Sequence, residues 1–196
     1  MKIQVMITTT ENASFLNCDL HHIIEVEFED YVATVVASEI GNAPIEACKA
    51  MAIAARTFAV SRGVLEGKVI SDSASVAQAY RAVRTNYENC NRAARETAGQ
   101  VLTYHDKIIS AVYCDSNGGR TVSSEKKWGG VHPYLIEKDD PWTKLSGKVR
   151  NGHGVGLSQA GAIYAANNDV DFQNIIKFYY PGTEIIEDYG NKEIEY

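Results

Sequence analysis

The sequence predicts an α+β fold, and three observations predict it. Apolar residues recur at helical spacing over two long stretches, Phe28 to Ile40 and Pro44 to Arg62. Short β-branched runs stand between turns marked by glycine and proline. Helices and strands interleave without the regular β-α-β alternation of a parallel sheet. A chain of 196 residues, 45% of them hydrophobic, suits one domain over residues 1–196 with a core of its own. The expected architecture is a helical pair packed on antiparallel strands, with glycine-rich loops lining a cleft.

Residues 1–10 read as a first strand, followed by a polar turn around Glu11 and Asn12. Residues 22–27 alternate and read as a second strand. Phe28, Val32, Val35 and Val36 then share one face of a helix that Gly41 breaks. Pro44 suits the first turn of the next helix, where its missing N–H costs nothing. That helix carries Ala47, Met51, Ala54, Ala55 and Phe58 on one face and ends near Gly63, an arrangement for close helix packing. Residues 68–80 are small and polar, a loop. Asn91 to Ala98 is a short helix. Gln100 to Tyr104 and Lys107 to Tyr113 form a β-hairpin around His105 and Asp106. Glycine-rich loops cover 114–134 and 146–157. Helices at Ser158 to Asn167 and Asp171 to Tyr180 precede the Pro181-Gly182 turn.

Composition excludes several functions. Nineteen Lys and Arg against 25 Asp and Glu leave a net charge of −6, with no basic face for nucleic acid. Aromatic and charged contents of 9% and 22% are those of a folded chain, not a disordered one. No apolar run reaches the ~20 residues that cross a bilayer. The amino terminus reads as a strand rather than a secretory leader, so the expectation is a cytoplasmic protein or one shown without its leader or anchor. Cys18, Cys48, Cys90 and Cys114 lie far apart, without metal-ligand spacing, and read mainly as buried thiols. His21 and His22, adjacent on a strand, point to opposite faces and share no ion.

Four places carry chemistry. Glu39 continues the apolar stripe of the first long helix. It is either a solvated glutamate in a last turn or a desolvated carboxyl whose raised pKa fits it for general-acid work. Gly152-His153-Gly154-Val155-Gly156 runs into a helix start at Ser158, exposing main-chain N–H groups without matching a dinucleotide fingerprint. Tyr113-Cys114-Asp115-Ser116-Asn117-Gly118-Gly119 leaves a strand, and Cys114 with His153 is a candidate nucleophile and base against the plainer reading of a tight turn. Trp128 and Trp142 read as loop aromatics able to stack on sugar rings or to cover a core.

Side by side, these segments resemble the catalytic domain of the stage II sporulation protein D family, in the amidase-enhancer superfamily. The resemblance runs from about residue 26 to 185. It rests on Glu29-Asp30-Tyr31-Val32, Val35 to Glu39, Ala50 to Thr57, Gln78-Ala79-Tyr80 and Gly99 to Leu102. It continues through Ser116 to Gly119, Trp128-Gly129-Gly130, Pro133-Tyr134-Leu135, Gly152 to Gln159 and Tyr179 to Thr183. The resemblance implies a lytic transglycosylase cutting peptidoglycan strands freed of stem peptides, and Glu39 falls on its catalytic glutamate. Arg56, Gln78, Tyr80, Ser116, Gly118, Gly119, His153, Ser158 and Gln159 are expected to line the cleft. An extracytoplasmic location follows from that substrate; a phage-borne or mobile-element origin, or a trimmed chain, would account for the missing anchor. A non-enzymatic reading, a glycan-binding enhancer of a wall amidase, fits the same resemblance. Some family members hold zinc with two cysteines and a histidine ahead of the Gln78 segment. Ser71, Val76 and Ala77 stand there in this chain, so no metal is expected, with Asp72 and Ser73 holding the loop by hydrogen bonds.

Overall fold

The amino-terminal strand gives way early, because Thr10 to Leu16 carries its own helix rather than a turn. In the computed structural model, which describes residues 1–83 and 87–187, β1 (Lys2–Met6) is followed by α1 (Thr10–Leu16). The polar residue that disguises this helix, Asn12, is buried and faces inward to bond other segments. β2 (Ile23–Glu27) pairs antiparallel with β1, and β3 (Ile70–Ser71) pairs with it in parallel, giving the order β2-β1-β3.

The predicted helical pair is the centre of the molecule. α2 (Phe28–Ile40) buries Phe28, Tyr31, Val32, Val35 and Val36. α3 (Ile45–Ser61) is buried along almost its whole length from Ala47 to Val60, and its alanines let neighbouring helices approach closely. α4 (Glu88–Glu96) packs on both. Cys48 on α3 and Cys90 on α4 are buried with their sulfurs 3.9 Å apart, and all four cysteines are free thiols.

The hairpin holds only in its first half. β4 (Val101–Tyr104) and β5 (Lys107–Ile108) pair antiparallel around His105 and Asp106, both at positive φ as a tight hairpin turn requires. β6 (Tyr113–Cys114) leaves that ladder and pairs in parallel with β7 (Leu157–Ser158), while β8 (Glu184–Ile186) takes the other edge of β4. The strands are therefore small sheets of mixed direction, not a single antiparallel layer. Gly156 permits the β6–β7 contact: it sits at φ +72°, and a Cβ there would run into the Val112 carbonyl oxygen.

Two further helices interrupt segments that read as loops. α5 (Ser124–Trp128) is capped by the Ser123 hydroxyl, and α6 (Pro141–Ser146) by Asp140 with Pro141 in its first turn. Trp142 is consequently no loop aromatic; it packs against Phe178, ring centroids 4.4 Å apart. α7 (Gln159–Ala166) and α8 (Phe172–Tyr179) start at Ser158 and Asp171, whose side chains cap them.

The 71–80 loop is held by a carboxylate. Asp72 accepts five hydrogen bonds, from the main-chain N–H and hydroxyl of Thr8, the same two groups of Thr9, and the Asn12 amide. Ser73 adds a hydroxyl contact to Ser75. Ser71 bonds Thr8, whereas Val76 is exposed and Ala77 offers no donor atom. These residues do not fit zinc.

Burial alone would raise the Asp72 pKa, but the donors from Thr8, Thr9 and Asn12 outweigh it and hold the carboxyl below its usual range. Its contribution to stability is present above the unfolded carboxyl pKa and lost as pH falls through the lower folded value. Asp72→Ala strands those donors at a cost on the order of 3 kcal/mol, so the melting temperature at pH 7 should fall by roughly 5–10 °C. Thermal melts read by circular dichroism check this, and the gap between wild type and variant should narrow in acid.

Candidate active site

Glu39 occupies the last full turn of α2, where the apolar stripe meets a polar hollow. Three segments that are remote in sequence reach its carboxyl group. The main-chain N–H of Ala79 donates to Oε1 at 2.8 Å, and Gln159 Nε2 donates to Oε2 at 2.9 Å. The Tyr113 hydroxyl lies 3.4 Å from Oε1 and donates more strongly, at 2.7 Å, to Gln78 Oε1. Gln78 in turn donates to the Tyr31 hydroxyl and the Ala55 carbonyl, so its side chain is fixed from both sides. Tyr80 stacks on Tyr31 with centroids 5.4 Å apart.

Glu39 is half-buried. Desolvation pushes its pKa above the usual carboxylate range, against the hydrogen bonds from Ala79, Gln159 and Tyr113 and the positive charge of Arg81. The result is a carboxyl that stays protonated to higher pH than a surface glutamate, yet has donors ready to receive its anion.

The expected cleft residues separate into three groups. Gln78, Tyr80 and Gln159 gather around Glu39. Ser116, Gly118, Gly119 and Ser158 belong instead to a second polar cluster centred on Asp140. There the fully buried Asp140 carboxylate accepts from Asn117, from Thr143 and from the Tyr179 hydroxyl. Ser158 accepts from Thr143 while capping α7, and Ser116 joins Gly118 to the Lys148 carbonyl. Ser116 and Ser158 are fully buried and present no surface to a ligand, whereas Gly118 is exposed. Arg56 is the third case. It is completely buried, forms a bidentate pair with Glu29 and donates to the Ala94 and Gln100 carbonyls. A guanidinium so enclosed ties α2, α3 and α4 together and does not line a cleft.

His153 lies against the main chain of Tyr113 rather than in either cluster. Its ring is hydrogen-bonded to the Tyr113 main chain, and its Nδ1 accepts the Val155 N–H at 3.0 Å. Burial lowers its pKa, and exposed Trp128 lies against it at 5.0 Å. No hydrogen bond links His153 to Cys114. Burial pushes the Cys114 thiol up to about 11, the opposite of what a nucleophilic cysteine needs. The Cys114–His153 pair is therefore not assembled. Among the described residues, no group of three His, Cys, Asp or Glu side chains stands where it could hold a metal ion, and no helix is long and apolar enough to cross a membrane.

Tyr113 and the Ala79 N–H went unnoticed in the sequence. Tyr113 precedes the conspicuous Cys114, and reading 107–113 as half of a hairpin hid the turn of its side chain toward Glu39.

A family model described as Stage II sporulation protein matches residues 17–104, the part that holds α2, α3 and the 71–80 loop. The Stage II sporulation protein D of Bacillus subtilis (strain 168) is 26% identical over 257 aligned positions, covering 83% of this chain and 75% of that protein. The chain is thus similar to the stage II sporulation protein D family over the part that carries Glu39. The Bacillus amyloliquefaciens protein of the same name is 26% identical, covering 85% of this chain and 76% of its own length. The Amidase enhancer of Bacillus subtilis (strain 168) is 38% identical over 96 residues. That match takes in 49% of this chain and 13% of the enhancer, so the chain corresponds to a small part of that longer protein. The family match contains Glu39 and Ala79 but ends before Tyr113 and Gln159, which the longer alignments reach across.

The raised pKa of Glu39 carries a stability consequence. A carboxyl whose folded pKa lies above its unfolded one binds more protons when folded. Wild type should then lose stability as pH rises from the unfolded carboxyl pKa through the folded value. Glu39→Gln has no such loss. Melting temperatures measured from pH 4 to pH 8 should show the variant gaining on wild type as pH rises.

Proposed function

We propose that this protein is a cell-wall lytic transglycosylase that cuts peptide-free peptidoglycan strands between N-acetylmuramic acid and N-acetylglucosamine. The observation that supports the reading is the desolvated carboxyl of Glu39, whose hydrogen-bond partners among the described residues are the neutral donors Ala79, Gln159 and Tyr113, none of them a second carboxylate. Paired-carboxylate glycosidases need the second group as nucleophile or to activate water. One carboxyl suffices if the substrate supplies its own nucleophile.

In this scheme the protonated Glu39 gives its proton to the glycosidic oxygen as the bond to the muramic anomeric carbon breaks. The N-acetylglucosamine leaves with a free hydroxyl. The Glu39 carboxylate, received by the Ala79 N–H and the Gln159 amide, then takes the proton of the muramic C6 hydroxyl. That oxygen closes on the anomeric carbon to form a 1,6-anhydro ring, and Glu39 is protonated again. No water is consumed. Tyr113, Gln78 and Tyr31 hold the position of the carboxyl from behind, and Gln159 and Tyr113 are the donors whose loss should be felt most. No metal takes part in this scheme.

A second reading is favoured by the similarity to the Amidase enhancer: the domain binds wall glycan and stimulates a partner amidase. The two are separated by products. Digestion of peptide-free strands by wild type should give muramic ends lighter by one water in mass spectrometry. Glu39→Gln should lower the rate by about 10³-fold or more, within the range for loss of a general acid. Normal reducing ends would mean hydrolysis and sink the transglycosylase reading. Binding without cleavage, together with faster peptide release by an added wall amidase, would establish the enhancer reading.

A further inference from the structure

A cation that acid–base chemistry alone does not require lines a hollow bordered by Ser38, the residue before Glu39. Arg81 follows the Gln78-Ala79-Tyr80 segment, and its main-chain N–H donates to the Ser38 hydroxyl at 3.1 Å, one residue before Glu39. Its side chain is exposed and lines a hollow of about 190 Å³ together with Thr34, Ser38 and Tyr87. Glu11 stands on the same rim. Among the described residues, the Arg81 guanidinium makes neither an ion pair nor a hydrogen bond, with Glu11 or with any other group.

An unpaired arginine on an open surface is simply solvated. This one lines a small concavity bordered by Ser38, and its charge reaches Glu39, favouring the carboxylate and so working against proton donation. A guanidinium presents a planar fork of donors that matches a carboxylate in two-point contact. The hollow is about the size of a ring substituent rather than of a disaccharide. In the substrate proposed above, each muramic ring carries a lactyl ether. It ends in a free carboxylate when the stem peptide is gone and in an uncharged amide when the peptide remains.

We propose that Arg81 binds this lactyl carboxylate in the hollow bordered by Ser38, one residue from Glu39, and so selects peptide-free strands over peptide-bearing ones. The inference rests on the reading of this site as a muramic-acid glycan site. It adds a residue that decides which glycan is accepted.

The test is a binding measurement in a Glu39→Gln background, so that no strand is cut. The ligands are peptide-free strands and the same strands with their lactyl carboxyl groups converted to methylamides. With Arg81 present, the free acid should bind roughly tenfold or more tighter than the amide. Arg81→Ala should abolish that difference, and Arg81→Lys should restore part of it, since lysine keeps the charge without the fork. Equal binding of both strands by the Arg81 protein would overturn the proposal. So would an equal loss on both strands in Arg81→Ala, which marks a merely structural role. Failure of the Arg81 protein to bind either strand would overturn the glycan reading as well, and is thereby distinguishable from failure of Arg81 alone.

Discussion

The site depends on one constraint: a carboxyl group taken partly out of water, where its protonated form is favoured, must still be met by donors that remote segments supply. α2 meets this by carrying an apolar stripe to its last turn and then placing Glu39 on it. The desolvation comes from the helix pair. The donors come from elsewhere, from the main chain at Ala79 and from Gln159 at the start of α7. Those donors favour the anion while burial favours the acid, so the two protonation forms are set against each other, with burial the larger effect.

That balance explains much of the surrounding architecture. Ala79 reaches Glu39 only if the 71–80 loop is fixed, and Asp72 fixes it through Thr8, Thr9 and Asn12 in the first strand and helix. Gln159 reaches Glu39 only if α7 begins at the right place. Ser158 sets that start, and the Asp140 cluster behind it locks α6, α7 and α8 together. The second cluster is thus scaffold for the first. Two buried carboxylates, Asp72 and Asp140, differ from Glu39: donors hold the first two in place and so organise loops, whereas burial outweighs the donors at Glu39 and raises its pKa.

Legibility followed the physics of each element. α2 and α3 were plain because a long apolar period has one interpretation; the pattern put Glu39 at the end of that stripe but left it either solvated or desolvated, and burial by the segments around it, remote in sequence, decides between the two. α1 was hidden because its inward residue, Asn12, is polar and is satisfied by groups distant in sequence. α6 was hidden because Asp140-Pro141, a helix start, was read as a loop. The departure of β6 from the hairpin depends on pairing with Leu157 and Ser158, a long-range contact that no local pattern announces. Arg56 misled for a related reason. A charged residue inside a motif looks like a ligand group until its partner is known, and Glu29, a full helix away, is that partner.

The proposed role of Arg81 changes how the balance at Glu39 is to be understood. In the free protein the guanidinium lowers the proton affinity of the neighbouring carboxyl and partly offsets its burial. A bound lactyl carboxylate would neutralise that charge, and a bound sugar would displace water from the hollow. Both changes raise the affinity of Glu39 for its proton at the moment a glycosidic oxygen comes within reach. A peptide-bearing strand brings an amide instead, leaves the guanidinium charged and leaves Glu39 the weaker proton holder. Selection of the strand and readiness of the acid would then have a common origin in the two residues, so that discrimination extends beyond affinity to the chemical step.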